Sequence, residues 1–310
     1  MTEQPCILGL DTSNYTTSAA LVTAGGEVVA DARKLLSVKK GERGLRQSEA
    51  LFQHVKNLPE LFEEISRDNT YRIEGICASE KPRPAEGSYM PCFLAGSSFG
   101  KSIAELLKVP YYSTTHQEGH IEALLPGSRF SRSRGFLCFH VSGGTCELLE
   151  VTGEDIRIIG GSRDISFGQL IDRIGVSLGL DFPAGREMDH MAFGRKPAGL
   201  LKTVKEKDCL INLSGAETAA KKLMAEGISK EELAGELFRF IGDAIIKVCR
   251  SGIRSTGVKD IMLVGGVSTS RTIKQLLTEN ADFPVWISNG DRGRDNAVGA
   301  AMIGRNKLWE

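Results

Sequence analysis

Short apolar runs and longer stretches of helical spacing alternate along the chain. The run Ile7–Leu10 predicts a buried strand that ends in four small polar residues suited to a turn, and the apolar pattern resumes at residues 18–22. Residues 47–65 place their apolar side chains on one face of a helix, despite Pro59. Strands mixed with helices predict an α/β fold, in which ligands bind at turns just beyond the ends of strands.

The rest of the pattern predicts a second half that is built like the first. We predict one strand that begins near residue 27 and further strands at 73–78, 136–141, 147–151, 156–159, 261–264 and 285–287. We predict helices at 93–107, 167–179, 214–226, 230–251, 270–278 and 295–304. A strand, a small polar turn and two further strands open both halves, about 130 residues apart, which indicates a duplicated lobe.

A polar segment without periodicity, residues 126–135, separates the two halves. Since a domain averages roughly 150 residues, the 310-residue chain has room for two lobes. We therefore expect an N-terminal lobe at 1–126 and a C-terminal nucleotide-binding lobe at 135–294. The closing helix at 295–310 is positioned to pack back on the first lobe.

The composition indicates a globular protein of a reducing compartment. Hydrophobic residues make up 41% of the chain, which supplies a core and excludes wholesale disorder. The seven cysteines are scattered without a C-x-x-C pair, as is typical of reduced thiols in a cytosol. No apolar run approaches the roughly 18 residues of a membrane span, and the first residues lack the pattern of a secretory signal. We expect a soluble, cytoplasmic protein without a membrane partner.

The net charge is zero, because 39 basic residues balance 39 acidic ones. This balance argues against a protein held on nucleic acid by its overall field. Two local basic clusters stand out, within residues 33–46 and 129–134. Each has two interpretations, a contact with nucleic-acid phosphates or an ordinary solvated loop.

Two small polar turns and one glycine turn follow predicted strands, at residues 11–14, 142–145 and 264–267 respectively. Ser, Thr and Gly in a tight turn let backbone N–H groups converge on an anion, although many such turns are simply turns. Three of them in one α/β chain favour a nucleotide-binding protein. The segment 96–102 resembles a P-loop, but Ala95 stands where that pattern requires glycine. We interpret it instead as small residues that let a helix pack closely.

The sharpest local signal is the pair His116 and His120. Four residues apart on a helix, both imidazoles lie on one face and can bind one metal ion, although two hydrogen-bonded histidines would have the same spacing. Glu118 does not follow His116 directly, so the pattern excludes the H-E-x-x-H chemistry of zinc peptidases. Asp295 is a candidate third ligand or, alternatively, the N-cap of the last helix.

These motifs resemble those of the tRNA N6-adenosine threonylcarbamoyltransferases, a family formerly described as sialoglycoprotein endopeptidases. The resemblance extends from Ile7 to the region of Gly304, and its most specific part is the N-H-x-E-G-H metal motif, matched at residues 115–120. The other matches are I-x-G-I-E-T-S at 7–13, H-L-x-x-L-P-x-L-I at 54–62, F-D-K-V-A-R-x-L-G-L-x-Y-P-G-G at 171–185 with an acid at 189, F-S-G-L-K-T at 213–218, A-G-G-V-A-A-N at 264–270 and T-D-N-G-A-M-I at 294–297 with 300–303 after it.

The resemblance implies the duplicated two-lobed fold of actin, hexokinase and Hsp70. It also implies transfer of a threonylcarbamoyl group from threonylcarbamoyl-adenylate to N6 of an adenosine beside the tRNA anticodon. One divalent metal ion, iron or zinc, would be bound by His116, His120 and Asp295. The adenylate would be lined by Ser142, Gly143, Gly144, Thr145, Asp172, Gly185, Asp189, Gly265, Gly266 and Ser270. The implied partners are tRNA, a smaller homologous protein and an ATPase.

The chain departs from the family pattern near the reacting groups. Asn14-Tyr15-Thr16 replaces the acids of C-D-E, and the turn that reads S-G-G-H-T in the family has Thr145 in place of the histidine. Asp11 is then the candidate general base or, alternatively, a turn residue. These departures support a second hypothesis: a paralogue that binds metal and adenine nucleotide but acts on another substrate, or serves as a scaffold or regulator.

Overall fold

The computed structural model of the chain describes residues 3–13, 15–39, 44–67, 70–153, 155–287 and 296–310. Its strands are β1 Gln4–Asp11, β2 Thr16–Thr23, β3 Val28–Leu35, β4 Tyr71–Lys81, β5 Tyr111–Thr115, β6 Phe136–Val141, β7 Cys146–Thr152, β8 Asp155–Ser162, β9 Leu210–Ile211, β10 Ile261–Val264 and β11 Val285–Ile287. Its helices are α1 Gln47–Ile65, α2 Phe93–Leu107, α3 His116–Leu124, α4 Phe167–Ser177, α5 Gly185–Ala192, α6 Ser214–Ala225, α7 Lys230–Thr256, α8 Arg271–Asn280 and α9 Val298–Trp309.

Two mixed sheets repeat one strand order. In the first sheet, β1, β2 and β3 form an antiparallel meander, and β4 and β5 extend it parallel to β1, in the order β3-β2-β1-β4-β5. In the second sheet, β8-β7-β6-β10-β11 has the same order and the same strand directions, with β9 added beyond β8. The repeat confirms the predicted α/β class and the predicted duplication.

The chain forms two compact units. The first contains Met1–Ser37, Leu45–Ser128 and Arg294–Glu310, and the second contains Val38–Gly44 and Arg129–Gly293. The last helix, α9, therefore belongs to the same unit as the first sheet, although the second sheet lies between them in the sequence.

Helices cover both faces of the first sheet. Successive residues of a strand point to opposite faces, and in β1 Leu8 packs with Leu58 of α1 while Ile7 packs against α9. Gly9 lies on the same face as Ile7, and a Cβ there would lie only 2.3 Å from the carbonyl oxygen of Ala297. The small size of Gly9 thus lets the start of α9 lie directly on the central strand of its unit.

The second unit is built around α7, a helix of 27 residues. It begins with a capping box, in which Ser229 and Glu232 bind each other's backbone amides. Phe238 of this helix is fully buried in the core of the unit, where Phe139 of β6 packs edge-to-face on Phe167 of α4 with ring centroids 6.2 Å apart.

The structure also bears on two expectations from composition. All seven cysteines are buried free thiols, as their scattered spacing predicts. Among the helices in the described part of the chain, none is both long enough and apolar enough to cross a membrane.

Candidate metal centre and nucleotide-binding turns

His116 and His120 lie on one face of α3, at its N-terminal end. The helix begins at His116 because Thr115 caps it, its hydroxyl accepting a hydrogen bond from the amide of Glu118. Both imidazoles are buried, and their Nε2 atoms lie 3.1 Å apart. The helix thus brings the two ring nitrogens toward one point, as a shared metal ion requires.

The carboxylate of Glu118 completes the capping of α3. Its Oε2 accepts hydrogen bonds from the Thr114 hydroxyl at 3.0 Å and from the Thr115 amide at 2.8 Å. The side chain therefore serves the strand that precedes the helix rather than the two imidazoles. This position agrees with the exclusion of H-E-x-x-H peptidase chemistry.

The carboxylate of Asp11, at the end of β1, lies against the other ring nitrogen of His116. Its Oδ2 is 3.0 Å from Nδ1 of His116 and accepts from the Ser79 hydroxyl at 2.6 Å, while its Oδ1 accepts from the Ser13 amide at 2.9 Å. Burial alone would raise the pKa of Asp11, but His116 and these hydrogen bonds outweigh it and hold that pKa below its ordinary value. An ionised carboxylate favours the tautomer of His116 that carries its proton on Nδ1, which leaves the lone pair on Nε2.

The donor set fits a divalent metal ion. Two nitrogen ligands about 2.0–2.1 Å from a tetrahedral ion stand about 3.4 Å apart, close to the 3.1 Å between the Nε2 atoms of His116 and His120. The same separation suits a hydrogen bond between the two imidazoles. The carboxylate of Asp11 favours the metal, because a metal-bound histidine almost always donates its other N–H to such a group.

Two glycines set the position of α3 against α9. A Cβ on Gly299 would lie 1.8 Å from the carbonyl oxygen of Gly119, so only glycine permits the observed approach of the two backbones. A Cβ on Gly119 would meet only the amide nitrogen of Ala300, at an ordinary 3.7 Å. Since Gly119 directly precedes His120, this contact holds the histidine face of α3 in place. Asp295, the third predicted ligand, lies outside the described residues.

Thr12, next to Asp11, anchors the start of α2. Its hydroxyl donates to the carbonyl oxygen of Cys92 at 3.0 Å and accepts from the amide of Gly96 at 3.1 Å. One turn later, a Cβ on Gly100 would lie 3.0 Å from a tyrosine ring of the sheet. The P-loop-like segment 96–102 is therefore a helix-packing surface, as the missing glycine at its start indicates.

In the second unit, the turn Ser142–Thr145 is held in shape by its own serine. Ser142 Oγ accepts hydrogen bonds from the two backbone amides that follow Gly143, at 3.3 and 3.0 Å. The carbonyl oxygen of Gly143 accepts from the Ser166 hydroxyl at 2.8 Å. α4 packs directly on this turn, because a Cβ on Gly168 would lie 2.6 Å from the Cα of Gly143.

The glycine turn after β10 lies beside this serine turn. β6 and β10 are parallel neighbours, so both turns open at the same edge of the sheet. Gly265 has a φ of +94°, and a Cβ there would lie 2.5 Å from the carbonyl oxygen of Val141. At Gly266 and Gly185, in contrast, a Cβ would meet no atom of the described residues within 4 Å. Neither packing nor a positive φ demands glycine at these two positions, and the space beside them is open.

Asp189 and Ser270 act together at the N-terminus of α8. Ser270 Oγ donates to Asp189 Oδ1 at 2.6 Å and accepts from the amide of Ile273 at 3.1 Å. The carboxylate of Asp189 also accepts from the amides of Arg271 and Thr272, each at 3.0 Å. The acid thus balances the positive end of this helix dipole from the neighbouring α5.

Asp172 of α4 faces the start of α5. Its Oδ1 accepts a hydrogen bond from the amide of Ala184 at 2.9 Å. Burial raises the pKa of Asp172 to about 6, against the lowering effect of hydrogen bonds from the amides of Ala184 and Gly185. A carboxyl group that titrates in this range changes between donor and acceptor close to physiological pH.

The predicted site residues thus fall into two groups within the described chain. Asp11, His116 and His120 meet in the first unit. The ten predicted nucleotide-binding residues lie in the second unit, on its turns, on α4 and α5 and at the start of α8. Three residues that no sequence motif marks support these groups: Ser79, Gly168 and Gly299. Each acts through a contact between segments far apart in the sequence, so no local pattern signals it.

The two basic clusters are partly neutralised by acids. Arg33 and Lys34 each form an ion pair with a carboxylate at 2.5 Å, and Arg129 pairs with Asp260 at 3.1 Å. Residues 40–43, which belong to the first cluster, lie outside the described part of the chain. The pairing favours ordinary surface ion pairs over phosphate contacts for these three side chains, and Arg33 and Lys34 lie on β3 rather than in the predicted loop.

Comparison with known proteins finds relatives along most of the chain. The family model of the tRNA N6-adenosine threonylcarbamoyltransferases (TsaD) matches residues 28–301. A Methanopyrus kandleri protein named tRNA N6-adenosine threonylcarbamoyltransferase is 25% identical over 89% of this chain and 79% of its own length. A Thermus thermophilus protein of the same name is 28% identical over 96% of this chain and 91% of its own length.

Among solved structures, full-length HypF in its phosphate- and nucleotide-bound form has a similar fold. It matches the whole of this chain with a TM-score of 0.66 at 12% sequence identity. The match covers 47% of HypF, so this chain spans about half of that protein and the likeness shows the fold alone. Together with the repeated strand order, it confirms the actin-, hexokinase- and Hsp70-like fold that the motifs imply.

Proposed function

Because this chain belongs to the tRNA N6-adenosine threonylcarbamoyltransferase family, we propose that it transfers a threonylcarbamoyl group from threonylcarbamoyl-adenylate to N6 of an adenosine in tRNA. In this reaction a bond forms between N6 and the carbamoyl carbon, the bond from that carbon to the phosphate oxygen breaks, AMP leaves and N6 loses a proton. The observation that carries the proposal is the convergence of His116 and His120 on one point, with the Asp11 carboxylate behind His116.

In this proposal His116 and His120 bind a divalent metal ion through Nε2, and Asp295 is the third ligand. Two imidazoles and a carboxylate suit iron as well as zinc. When bound, the ion supplies a Lewis acid that polarises an oxygen of the mixed anhydride.

We assign Asp11 the role of positioning His116 rather than that of a general base. Its carboxylate already accepts hydrogen bonds from Ser13 and Ser79 and lies 3.0 Å from the ring of His116, and its pKa is held below the ordinary value. A carboxylate that is stabilised in its ionised form is a weak proton acceptor. It is well suited to fix the orientation and the tautomer of a metal-binding imidazole.

The second unit holds the adenylate in this proposal. The turns at Ser142–Thr145 and Gly265–Gly266 open at the same sheet edge, and backbone amides of glycine turns are suited to phosphate oxygens. The open space beside Gly266 and Gly185 supports a ligand position, since nothing in the described chain fills it. Asp172 of α4 and Asp189 of α5 accept hydrogen bonds from the amides at the starts of α5 and α8.

The proposal also includes an acceptor molecule and two protein partners. tRNA supplies the adenosine, and the family resemblance adds a smaller homologous protein and an ATPase as partners. The reaction belongs in the cytoplasm, where tRNA is modified, and the seven buried thiols suit a reducing compartment.

Metal content and product formation test the proposal together. Plasma mass spectrometry of the purified protein is expected to find one iron or zinc per chain, which the double variant His116→Ala/His120→Ala loses. His190→Ala is the matched control, because this histidine is exposed on α5, and its metal content is expected to equal that of the wild type.

The second measurement is mass spectrometry of nucleosides from tRNA that was incubated with threonylcarbamoyl-adenylate, the protein and its two partners. Threonylcarbamoyladenosine is expected with the wild type and not with the double variant. Bound metal without this product would favour the paralogue hypothesis. A full yield of product from metal-free protein would overturn the assigned chemistry.

A further inference from the structure

The second unit carries a basic cleft that no motif marks. Its volume is about 980 Å³, and it lies between the C-terminal half of α7 and the segment that precedes β9. Among its nine lining residues, six are basic and one, Glu206, is acidic. The six basic residues, which we call the cationic cleft, are Lys202, Lys205, Lys207, Lys247, Arg250 and Arg254.

One wall of the cleft is a row of cations on α7. Lys247, Arg250 and Arg254 stand three and four residues apart, so they share one face of the helix. Lys247 Nζ donates to the carbonyl oxygen of Val204 at 2.9 Å, which ties the opposite wall to the helix. Arg250 pairs with Asp282 at 2.8 Å, so part of the charge on this wall is compensated.

The opposite wall presents Lys202, Lys205 and Lys207 to solvent, all three with exposed side chains. The backbone that carries them is fixed, because Leu201 and Val204 are buried in the core of the unit. The ordered backbone fixes where each lysine side chain begins, and the flexible stems let the ammonium groups reach successive phosphates of a polyanion.

Positive charge is concentrated in the cleft. The whole sequence has no net charge, whereas the six cations of the cleft face two carboxylates, those of Asp282, which pairs with Arg250, and Glu206, which lies 3.8 Å from Arg254. Such a local excess of positive charge attracts an extended polyanion even when the net charge of the protein is zero. None of the nine lining residues is aromatic, so the cleft offers no surface on which bases could stack.

We propose that the cationic cleft binds the sugar–phosphate backbone of tRNA, without reading its sequence. This inference rests on the proposed function, which requires tRNA to bind to the chain. Its contacts are charge-assisted hydrogen bonds from lysine to phosphate oxygens, so binding depends steeply on salt and not on the identity of the modified base.

The test compares tRNA binding by the wild type and by the triple variant Lys202→Gln/Lys205→Gln/Lys207→Gln, measured by fluorescence anisotropy over a range of salt concentrations. If each lysine contacts one phosphate, the slope of log affinity against log salt concentration is less steep in the variant, by about two to three. Its affinity at 0.1 M salt then falls about tenfold to a hundredfold. A tRNA in which the target adenosine is replaced is expected to bind like the unaltered tRNA.

A matched variant separates the cleft from the general charge of the protein. Lys222→Gln/Lys230→Gln/Lys259→Gln removes the same charge from exposed positions of the same unit that do not line the cleft, and is expected to bind tRNA like the wild type. In the transfer assay, the cleft variant is expected to raise the KM for tRNA and to keep kcat and metal content. The last two measurements show that a loss of affinity does not come from misfolding.

The outcomes distinguish the cleft from the proposed function. If the wild type modifies tRNA and the cleft variant binds it unchanged, the cleft proposal is overturned and the transferase remains. Equal losses of tRNA affinity in the cleft variant and the matched variant would also overturn it. So would inorganic phosphate that displaces tRNA more strongly than chloride does at equal ionic strength, because this result indicates a small-anion site. A wild type that neither binds nor modifies tRNA overturns both.

Discussion

The carboxylate of Asp11 lies 3.0 Å from Nδ1 of His116, although 105 positions separate the two residues in the sequence. The sheet accounts for this proximity, because β1, β4 and β5 are parallel neighbours whose carboxyl ends meet at one edge. Asp11 ends β1, Ser79 lies near the end of β4, and His116 follows β5 directly. The topology of the first unit therefore assembles the histidine and the two groups that orient it.

Asp11→Asn is expected to weaken metal binding without unfolding the protein. The amide is isosteric with the carboxylate but carries no charge, so it holds the Nδ1 proton of His116 less strongly, and loss of such a partner costs about 10–100-fold in metal affinity. Competition with a chelator of known affinity measures the effect. Ser79→Ala removes one hydrogen bond and keeps the charge, so its effect is expected to be smaller. Equal affinities for Asp11→Asn and the wild type would contradict the positioning role.

Gly299→Ala is expected to destabilise the first unit and to disturb its candidate metal site. The new Cβ would lie 1.8 Å from the carbonyl oxygen of Gly119, so α9 and α3 must separate. Overpacking of this kind costs about 1–3 kcal/mol in free energy of unfolding, measured by denaturant titration. Gly119→Ala is the control, since its Cβ makes only an ordinary contact at 3.7 Å. If the two variants unfold at the same denaturant concentration, α3 and α9 do not approach each other closely at Gly299.

The sequence predicts the secondary-structure elements well where an amphipathic segment buries one continuous apolar face. The bounds of α1 and α2 follow directly from apolar spacing, because each helix buries one continuous face against the sheet. β5 is not predicted, because residues Tyr111–Thr115 are polar and half-exposed and show no apolar strand pattern. The segment forms a strand through its pairing with β4. α5 is also not predicted, because its 8 residues bury only Met188 and Ala192.

The sequence alone predicts the two candidate metal-binding histidines but not the residues that position them. His116 and His120 share a helix, so their spacing alone places them together. Asp11 appears in the sequence as a turn residue or a base, because its contact with His116 depends on strand order that no local pattern contains. The same holds for the cationic cleft, whose two walls are 40 or more residues apart in the chain.

Gly266→Ala is expected to weaken adenylate binding without loss of stability. A Cβ at this position meets no atom of the described residues within 4 Å, so it would project into the space that the proposed ligand occupies. Since a misplaced methyl group in a binding pocket costs roughly 1–3 kcal/mol, the Kd for AMP is expected to rise about 5- to 150-fold in titration calorimetry. Gly25→Ala, whose Cβ makes one ordinary contact at 3.7 Å in the first unit, is expected to bind AMP normally. Unchanged affinity in Gly266→Ala would remove this turn from the adenylate site.

Asp172→Asn is expected to alter how stability depends on pH. Burial raises the pKa of Asp172 in the folded protein from 3.8 to about 6, so the folded state retains a proton that the unfolded state releases. The stabilising contribution is complete below about pH 4 and is lost as the pH rises through about 6. The asparagine keeps an oxygen for the amide of Ala184 and does not titrate.

Denaturant titrations between pH 4 and pH 8 measure this difference. The free energy of unfolding of the wild type relative to Asp172→Asn is expected to fall by an amount on the order of 2 kcal/mol between pH 4 and pH 7, and then to stay constant. Asp282→Asn serves as the control, because the hydrogen bond from Arg250 lowers the pKa of Asp282 from its ordinary value of 3.8. That carboxylate keeps its stabilising contribution above its ordinary pKa and loses it only at lower pH, so its difference from the wild type is expected to stay constant between pH 4 and pH 8. A difference that does not change with pH for Asp172→Asn would show that the folded protein does not retain the proton at this carboxyl group.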